Sequence, residues 1–312
     1  MRANEQTGKT FIAWRLLAAM ALFLALPAVD AQTLTTGDIT GTISDPTGAV
    51  VPGASVVLTN TDTGVSQNTT TSASGAYRFS FLPPGEYRIS ATSTGLKTEV
   101  ASTRVQVGQI TTLNLTARVE QAQTVVEVNA APSAVQTENA NLARAFSATQ
   151  MMDLPAPGGD ITTVAFTVPG ITENTGSGYG NFSSHGLPGT ANLFTIDGND
   201  YNDPYLNLNN SGASNLLLGQ NEIAEASVVQ NGYSVQYGRN AGAQLNYVTK
   251  SGTNGFHGNL SENWNGTLLN ANDFFNNVNG IPRPHAISNN YAASIGGRVL
   301  KDKLFFFTDT EG

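Results

Sequence analysis

Residues 76–92 read AYRFSFLPPGEYRISAT, and this stretch decides the fold of the region around it. Tyr77, Phe79 and Phe81 alternate with polar side chains, which is the period of a half-buried strand. Pro83-Pro84-Gly85 has the chemistry of a turn, and the alternation resumes after it. The stretch therefore predicts two strands joined by a turn, with the three aromatic rings on one face.

Further short apolar runs surround this hairpin in residues 37–118, and Gly, Pro, Asp and Ser separate them. Seven short strands at this spacing are typical of a β-sandwich. The predicted strands cover residues 38–44, 54–60, 65–71, 76–81, 86–92, 98–107 and 110–118.

Four runs in this region carry a more specific signal: Gly41 to Asp45, Gly53 to Leu58, Gly75 to Phe79 and Leu82 to Tyr87. Together they resemble the carboxypeptidase regulatory-like domain. The resemblance implies a prealbumin-like sandwich, also grouped with the carbohydrate-binding-like folds, that serves as an accessory module. It implies no protease, because His185, His257 and His285 lack the spacing of a zinc peptidase.

Residues 1–31 have the features of an export signal. A basic start is followed by an apolar run at residues 16–26, which is too short to span a bilayer as a helix. Val29-Asp30-Ala31 fits a signal peptidase, so we expect cleavage between Ala31 and Gln32. A membrane anchor is the alternative interpretation.

The charge and composition of the chain exclude some classes of partner and of site. The net charge is −8, and removal of the predicted signal makes the remainder more acidic. Such a surface repels phosphate backbones, so we expect no nucleic-acid partner. The chain has no Cys, which excludes disulfides and thiolate metal sites.

A helix is predicted over residues 139–152, where Leu142 and Phe146 lie four residues apart. Pro155 would end this helix. After this helix, the region from Asp153 to Gly252 is rich in Gly, Asn and Ser and contains scattered short runs typical of strands.

Several runs in this region form a second specific signal: Val168-Pro169-Gly170, Asn192 to Gly198, Asn202-Asp203-Pro204 and, above all, Tyr233 to Gly252. They resemble the plug of TonB-dependent receptors. The resemblance identifies residues 137–252 as an α+β plug domain and residues 119–136 as the linker that joins it to the sandwich.

Residues 253–312 show the alternation of barrel strands. Tyr291, Ala293 and Ile295 share one strand face, and Asn290 and Ser294 share the other. Transmembrane strands alternate in this way, although a soluble half-buried strand does the same. Together with runs such as Lys303 to Phe307, the pattern resembles the opening of an Oar-like barrel. Strands are predicted near residues 258–265, 290–299 and 303–311.

The linker contains a short apolar segment with one acidic residue: Thr124, Val125, Val126, Glu127 and Val128. Its character and its position before the plug resemble a TonB box. TonB would capture such a segment by strand addition in the periplasm. The alternatives are a linker strand or the last strand of the sandwich.

Other polar clusters predict no chemistry. Asp197, Asp200 and Asp203 fail the spacing of an EF-hand and are interpreted as Asx-turns. Ser183-Ser184-His185 lacks an orienting acid in a recognisable frame. We therefore expect no catalytic, cofactor-binding or metal residues, no cofactor and no enzyme activity.

The sequence thus predicts a mainly β chain: a sandwich, an α+β plug and the first strands of an incomplete transmembrane β-barrel. The resemblance implies TonB-energised uptake of a bulky ligand, such as a glycan, a peptide or a metal chelate. It places the protein in the cell outer membrane, with the sandwich in the periplasm. The alternative is a surface adhesion protein whose sandwich binds carbohydrate.

The number of barrel strands predicts that this sequence is a fragment or a broken gene product. Plugged outer-membrane transporters close about 22 strands, whereas residues 253–312 hold about three strands of membrane-spanning length. An open sheet in hydrocarbon would leave edge N–H and C=O groups unpaired, at several kcal/mol each.

Overall fold

The computed structural model describes residues 35–119, 128–129, 142–154, 160–173, 181–209, 219, 221–231 and 237–312. The predicted signal peptide, the Ala31–Gln32 cleavage site and Thr124 to Glu127 of the candidate TonB box lie outside these ranges. The described residues belong to one compact unit. In the described part of the chain, no helix has the length and apolar character that crossing a membrane requires.

Nine strands form the accessory sandwich in residues 35–119, a range that is described throughout. They are β1 (Gly37–Ser44), β2 (Ser55–Asn60), β3 (Ser66–Thr70), β4 (Ala76–Leu82), β5 (Gly85–Ser93), β6 (Leu96–Thr98), β7 (Ala101–Val105), β8 (Ile110–Thr112) and β9 (Leu115–Val119). β1 pairs with β4, β8 and β9, while β5 pairs with β2, β6 and β7. One apolar core that includes Ile39, Phe79 and Ile89 lies within this domain, as the alternation predicts.

Phe81 does not share the buried face of Tyr77 and Phe79, which corrects the prediction for that strand. The register of β4 against β1 shifts between the Ile39–Phe79 and Gly37–Leu82 pairs, so two residues of β4 lie opposite one residue of β1. Such a β-bulge rotates the side chains that follow it. Phe81 takes a positive φ of 59° and is 46% exposed, and Leu82 occupies the buried position instead.

The plug follows the sandwich and contains one five-stranded sheet. Before it, the short strand β10 (Val128–Asn129) pairs with β7 of the sandwich. The plug elements are β11 (Leu142–Ser147), α1 (Ala148–Asp153), β12 (Ile171–Glu173), β13 (Phe182–Ser184), β14 (Leu193–Ile196), β15 (Asn199–Asp200), β16 (Ile223–Asn231) and β17 (Gln244–Thr249), with 3₁₀ turns at Ile161–Thr167 and Gly189–Ala191. The sheet order is β11-β16-β17-β14-β15, and β14 and β17 are parallel. A second apolar core that includes Phe146, Phe182 and Tyr247 belongs to this domain.

The helix predicted over residues 139–152 is wrong for its described first half. Leu142–Ser147 forms β11, which pairs antiparallel with β16, and the helix begins only at Ala148. Ser147 caps it, because its side chain accepts from the backbone of Gln150 in a capping box. Pairing with a distant strand overrides the local helical spacing of Leu142 and Phe146.

The last region is a three-stranded antiparallel sheet. It consists of β18 (His257–Gly266), β19 (Ile287–Leu300) and β20 (Leu304–Glu311), with a short helix α2 (Phe274–Val278) between β18 and β19. All three predicted strands are confirmed within a few residues. By register, Leu260, Tyr291 and Ile295 share one face; they are 84%, 58% and 51% exposed. Glu262, paired with Tyr291, is the one charged side chain on that face of these strands.

Candidate functional site

The opposite face of the barrel sheet is joined to the plug through Asn221, which lies two residues before the start of β16. The backbone N–H of Asn221 donates to Glu311 Oε1 at 2.9 Å, and its side-chain amide donates to Asp309 Oδ1 at 2.5 Å. Its side-chain oxygen accepts from Asn259 Nδ2 at 2.8 Å. Three groups of one plug residue are thus bonded to β18 and β20.

Lys250 completes this polar cluster from the end of β17, next to the start of β16. Its ammonium group donates to the backbone carbonyl of Asn221 at 2.8 Å. Burial lowers the pKa of Lys250, while the carboxylates of Asp309 and Glu311 oppose that shift. Burial also raises the pKa of the nearby Glu222 carboxyl, and repulsion from Glu311 and Asp309 adds to the rise. The cluster is therefore rich in carboxylates that are partly withdrawn from water.

The backbone of the plug approaches the barrel wall too closely for side chains. A Cβ added to Gly219 would lie 1.8 Å from a carboxylate oxygen of Glu311. A Cβ added to Gly252 would lie 2.2 Å from the carbonyl oxygen of Phe306. Glycine is required at Gly252, where the close atoms are backbone, whereas a side chain at Gly219 would displace the flexible Glu311 carboxylate.

Glu225 is a buried carboxylate on the other face of the plug sheet. The register of β16 against β17 shifts between Ile223 and Glu225, so that Ile223 and Ala226 both enter the apolar core. The shift turns the Glu225 side chain to the opposite face, as a β-bulge does. Glu225 is nevertheless only 1% exposed.

The groups that surround Glu225 come from the sandwich. Arg104 of β7 lies close enough to attract the carboxylate, and the backbone N–H of Val107 faces it. Among the described residues, neither carboxylate oxygen of Glu225 accepts a hydrogen bond, and Nε of Arg104 donates none. Burial raises the pKa of Glu225 to about 7, although the Arg104 charge and the Val107 backbone work in the opposite direction.

A second contact joins the sandwich to the barrel region. The backbone N–H of Asn254 donates to the carbonyl oxygen of Asp62, in the turn between β2 and β3, at 2.9 Å. The Asn254 side chain donates to Asp302 Oδ1 at 2.8 Å, and the Asp302 N–H donates back at 2.9 Å. Asp302 lies in the short turn that joins β19 to β20.

The residues singled out from the sequence are only partly brought together. Val128 lies in β10, which runs parallel to β7 with Val128 opposite Ala101. Asp200 and Asp203 accept from backbone N–H groups two or three residues later, as Asx-turns do. Asp197 instead bonds Thr249 across the sheet at 2.8 and 2.9 Å. In the described ranges, no group of three or more His, Cys, Asp or Glu could hold a metal ion.

Sequence reasoning missed Asn221 and Glu225. The run from Ile223 to Val229 did hold a signal, because Glu225 is a single carboxylate in an otherwise apolar or small-residue strand. A charged group in such a strand needs a partner when it is buried. Asn221 gave no comparable signal, since Asn is frequent throughout the plug sequence.

Three domain families match the chain in the order that the fold suggests. The carboxypeptidase regulatory-like domain matches residues 38–118, the TonB-dependent receptor plug domain residues 126–243, and the outer membrane β-barrel domain residues 248–312. A sandwich, a plug and barrel strands in this order define a plugged outer-membrane receptor.

The chain is similar to TonB-dependent receptors, whose plug domain it carries. It is 29% identical over 271 residues to the TonB-dependent transporter Oar of Myxococcus xanthus. The match covers 82% of this chain and 25% of that relative, so the chain spans about a quarter of the relative's length.

Two solved structures are similar to parts of the chain. The siderophore receptor PirA from Acinetobacter baumannii matches with a TM-score of 0.41 and 18% identity, over 55% of this chain and 24% of that one. The outer membrane transporter YddB from Escherichia coli matches with a TM-score of 0.39 and 18% identity, over 51% of this chain and 24% of that one.

Proposed function

We propose that this chain is the energy-coupled part of an outer-membrane importer that takes up a bulky ligand such as a glycan, a peptide or a metal chelate. The observation that carries the proposal is the attachment of the plug to the barrel wall at Asn221. This attachment consists of hydrogen bonds to Asp309, Glu311 and Asn259. A polar attachment of this kind can be exchanged for water when the plug moves, because the freed groups remain hydrogen-bonded.

The energy would enter through the segment Thr124, Val125, Val126, Glu127 and Val128. Val128 has the extended backbone that strand addition requires, because it pairs with Ala101 at the edge of β7. The same pairing fits the alternative of a last strand of the sandwich. A segment that adds to one sheet edge has the backbone complementarity that capture by TonB requires. The signal peptide at residues 1–31, cleaved between Ala31 and Gln32, would deliver the protein to the envelope.

We propose a periplasmic position for the sandwich, residues 37–118. The support is its contact with the turn between β19 and β20 through Asn254 and Asp302. Outer-membrane barrels have short turns on the periplasmic side and longer loops outside. The turn at Asp302 is short, since β19 ends at Leu300 and β20 begins at Leu304.

The test compares energised accumulation with surface binding in cells that carry the whole receptor. Deletion of residues 124–128 should abolish accumulation of the imported compound and leave its binding to the cell surface intact. A matched five-residue deletion at residues 46–50, in the exposed loop between β1 and β2, controls for loss of chain length. Surface adhesion that is unchanged by the 124–128 deletion, with no energised accumulation in the parent, would support the adhesion alternative and contradict transport.

A further inference from the structure

One end of the sandwich touches both the plug and the barrel region. In the β2–β5–β7 sheet, Asn60 pairs with Tyr87, and Tyr87 pairs with Thr103. Asp62, in the turn after β2, and Arg104, in β7, therefore lie at the same end of this sheet. The first contacts Asn254 of the barrel region, and the second faces Glu225 of the plug.

The polar groups at the contact with the barrel region are hydrogen-bonded. Asn254 and Asp302 hold each other by two hydrogen bonds, and the Asn254 N–H reaches the Asp62 carbonyl. Gly64 packs directly against this pair, because an added Cβ would lie 2.5 Å from Asp302 Oδ1. Since Gly64 has a φ of +74°, the turn is shaped for this approach.

The contact with the plug has fewer hydrogen bonds. The Glu225 carboxylate is buried, yet within the described chain its oxygens accept no hydrogen bond. The buried carboxylate is held by the attraction of Arg104 and by the Val107 backbone N–H that faces it. Arg104 also has Glu86 of the sandwich at 3.5 Å, so it keeps a partner if Glu225 departs.

We propose that this end of the sandwich is a latch that ties the plug to the barrel rim. The contact at Glu225 breaks when the plug moves, and the contact at Asp62 and Gly64 stays. Asn221 lies four residues before Glu225, so a plug that leaves the wall carries Glu225 away from the sandwich with it. The latch rests on the proposed transport function, since it regulates the same plug movement.

The experiment measures how fast a plug residue becomes accessible in membranes that carry the receptor. Ser227→Cys is the reporter, because Ser227 is 1% exposed, lies on the Glu225 face of β16 and the chain has no other Cys. Its modification by fluorescein maleimide is followed with TonB energised. Gly64→Asn should raise the labelling rate severalfold, because the new side chain collides with Asp302. Glu225→Gln should lower it severalfold, because a neutral amide is buried more easily than a carboxylate.

Gly95→Asn is the matched control. Gly95 has a φ of +72°, close to that of Gly64, and a Cβ added there meets nothing within 4 Å. Asn tolerates this backbone region, so both variants retain their turns. Only the Gly64 variant disturbs the contact with Asp302. Equal labelling rates in the two Asn variants, or an unchanged rate in Glu225→Gln, overturn the latch. If the labelling rate of the parent reporter is the same with and without energised TonB, the proposed transport function is contradicted. The comparison of Gly64→Asn with Gly95→Asn still tests the latch in that case.

Discussion

The amide of Asn221 and the carboxylate of Asp309 are 2.5 Å apart, so a plug residue is bonded directly to the third barrel strand. The backbone N–H of the same residue is bonded to Glu311. This relationship joins the five-stranded plug sheet to the wall through polar groups.

Replacement of Asn221 by Ala should loosen the plug from the wall. Hydrogen bonds to charged groups contribute about 1.5–3 kcal/mol each, and the change removes the side-chain bond to Asp309. We expect faster hydrogen exchange in β16 and β17 of the membrane-embedded receptor. Asn263→Ala is the control, because Asn263 is an exposed residue of β18. Equal exchange in the two variants would show that Asn221 does not anchor the plug.

Phe79→Asp should unfold the sandwich, which we expect to fold independently over residues 37–118. Loss of a buried Phe costs about 3–5 kcal/mol, and burial of a carboxylate adds to that loss. Phe81→Asp is the matched control, since Phe81 is 46% exposed in the same strand. Thermal melts followed by circular dichroism should lose the cooperative transition only for Phe79→Asp. Equal destabilisation by the two changes would contradict the bulge in β4.

The contrast between these two phenylalanines indicates how far the sequence predicts the fold. Alternation is local, and it predicted the strands of the sandwich and of the barrel region closely. The bulge that exposes Phe81 depends on the pairing of β4 with β1, and the strand at Leu142–Ser147 depends on pairing with β16. Neither partner can be read from the local pattern. Asn221 and Glu225 were missed for a related reason, because their roles arise where separate domains meet.

The sandwich–plug contact should weaken as the pH rises through about 7. Burial raises the pKa of Glu225 above the ordinary 4.5, so the folded chain keeps a proton that the unfolded chain has lost. The linked stability is fully present below the unfolded pKa and is lost as the pH rises through the folded pKa. Arg104 and the Val107 N–H face the carboxylate and moderate this loss.

The measurement for this pH effect is the difference in thermal midpoint between the parent and Glu225→Gln, at about pH 5.5 and about pH 8.5. The difference cancels the titration of His185, His257 and His285, which both proteins retain. We expect the thermal midpoint of Glu225→Gln, relative to that of the parent, to be higher at about pH 8.5 than at about pH 5.5. A difference that is the same at both pH values would contradict the raised pKa.

A cysteine pair should report the contact between the sandwich and the barrel rim. A Cβ added to Gly64 would lie 3.2 Å from Cγ of Asp302, which is within the reach of a disulfide. Gly64→Cys combined with Asp302→Cys should therefore cross-link under mild oxidation in membranes. Gly95→Cys with Asp302→Cys should not. Cross-linking in both pairs, or in neither, would show that the sandwich does not dock at this turn.

Site-specific disulfide capture tests the proposed engagement of TonB just before the plug most directly. Val126→Cys should cross-link to a cysteine introduced into TonB in energised cells. Val119→Cys, 70% exposed at the end of β9 and outside the candidate box, should not cross-link. Selective capture at Val126 is the predicted result. No capture at Val126, or equal capture at Val119, would contradict the account.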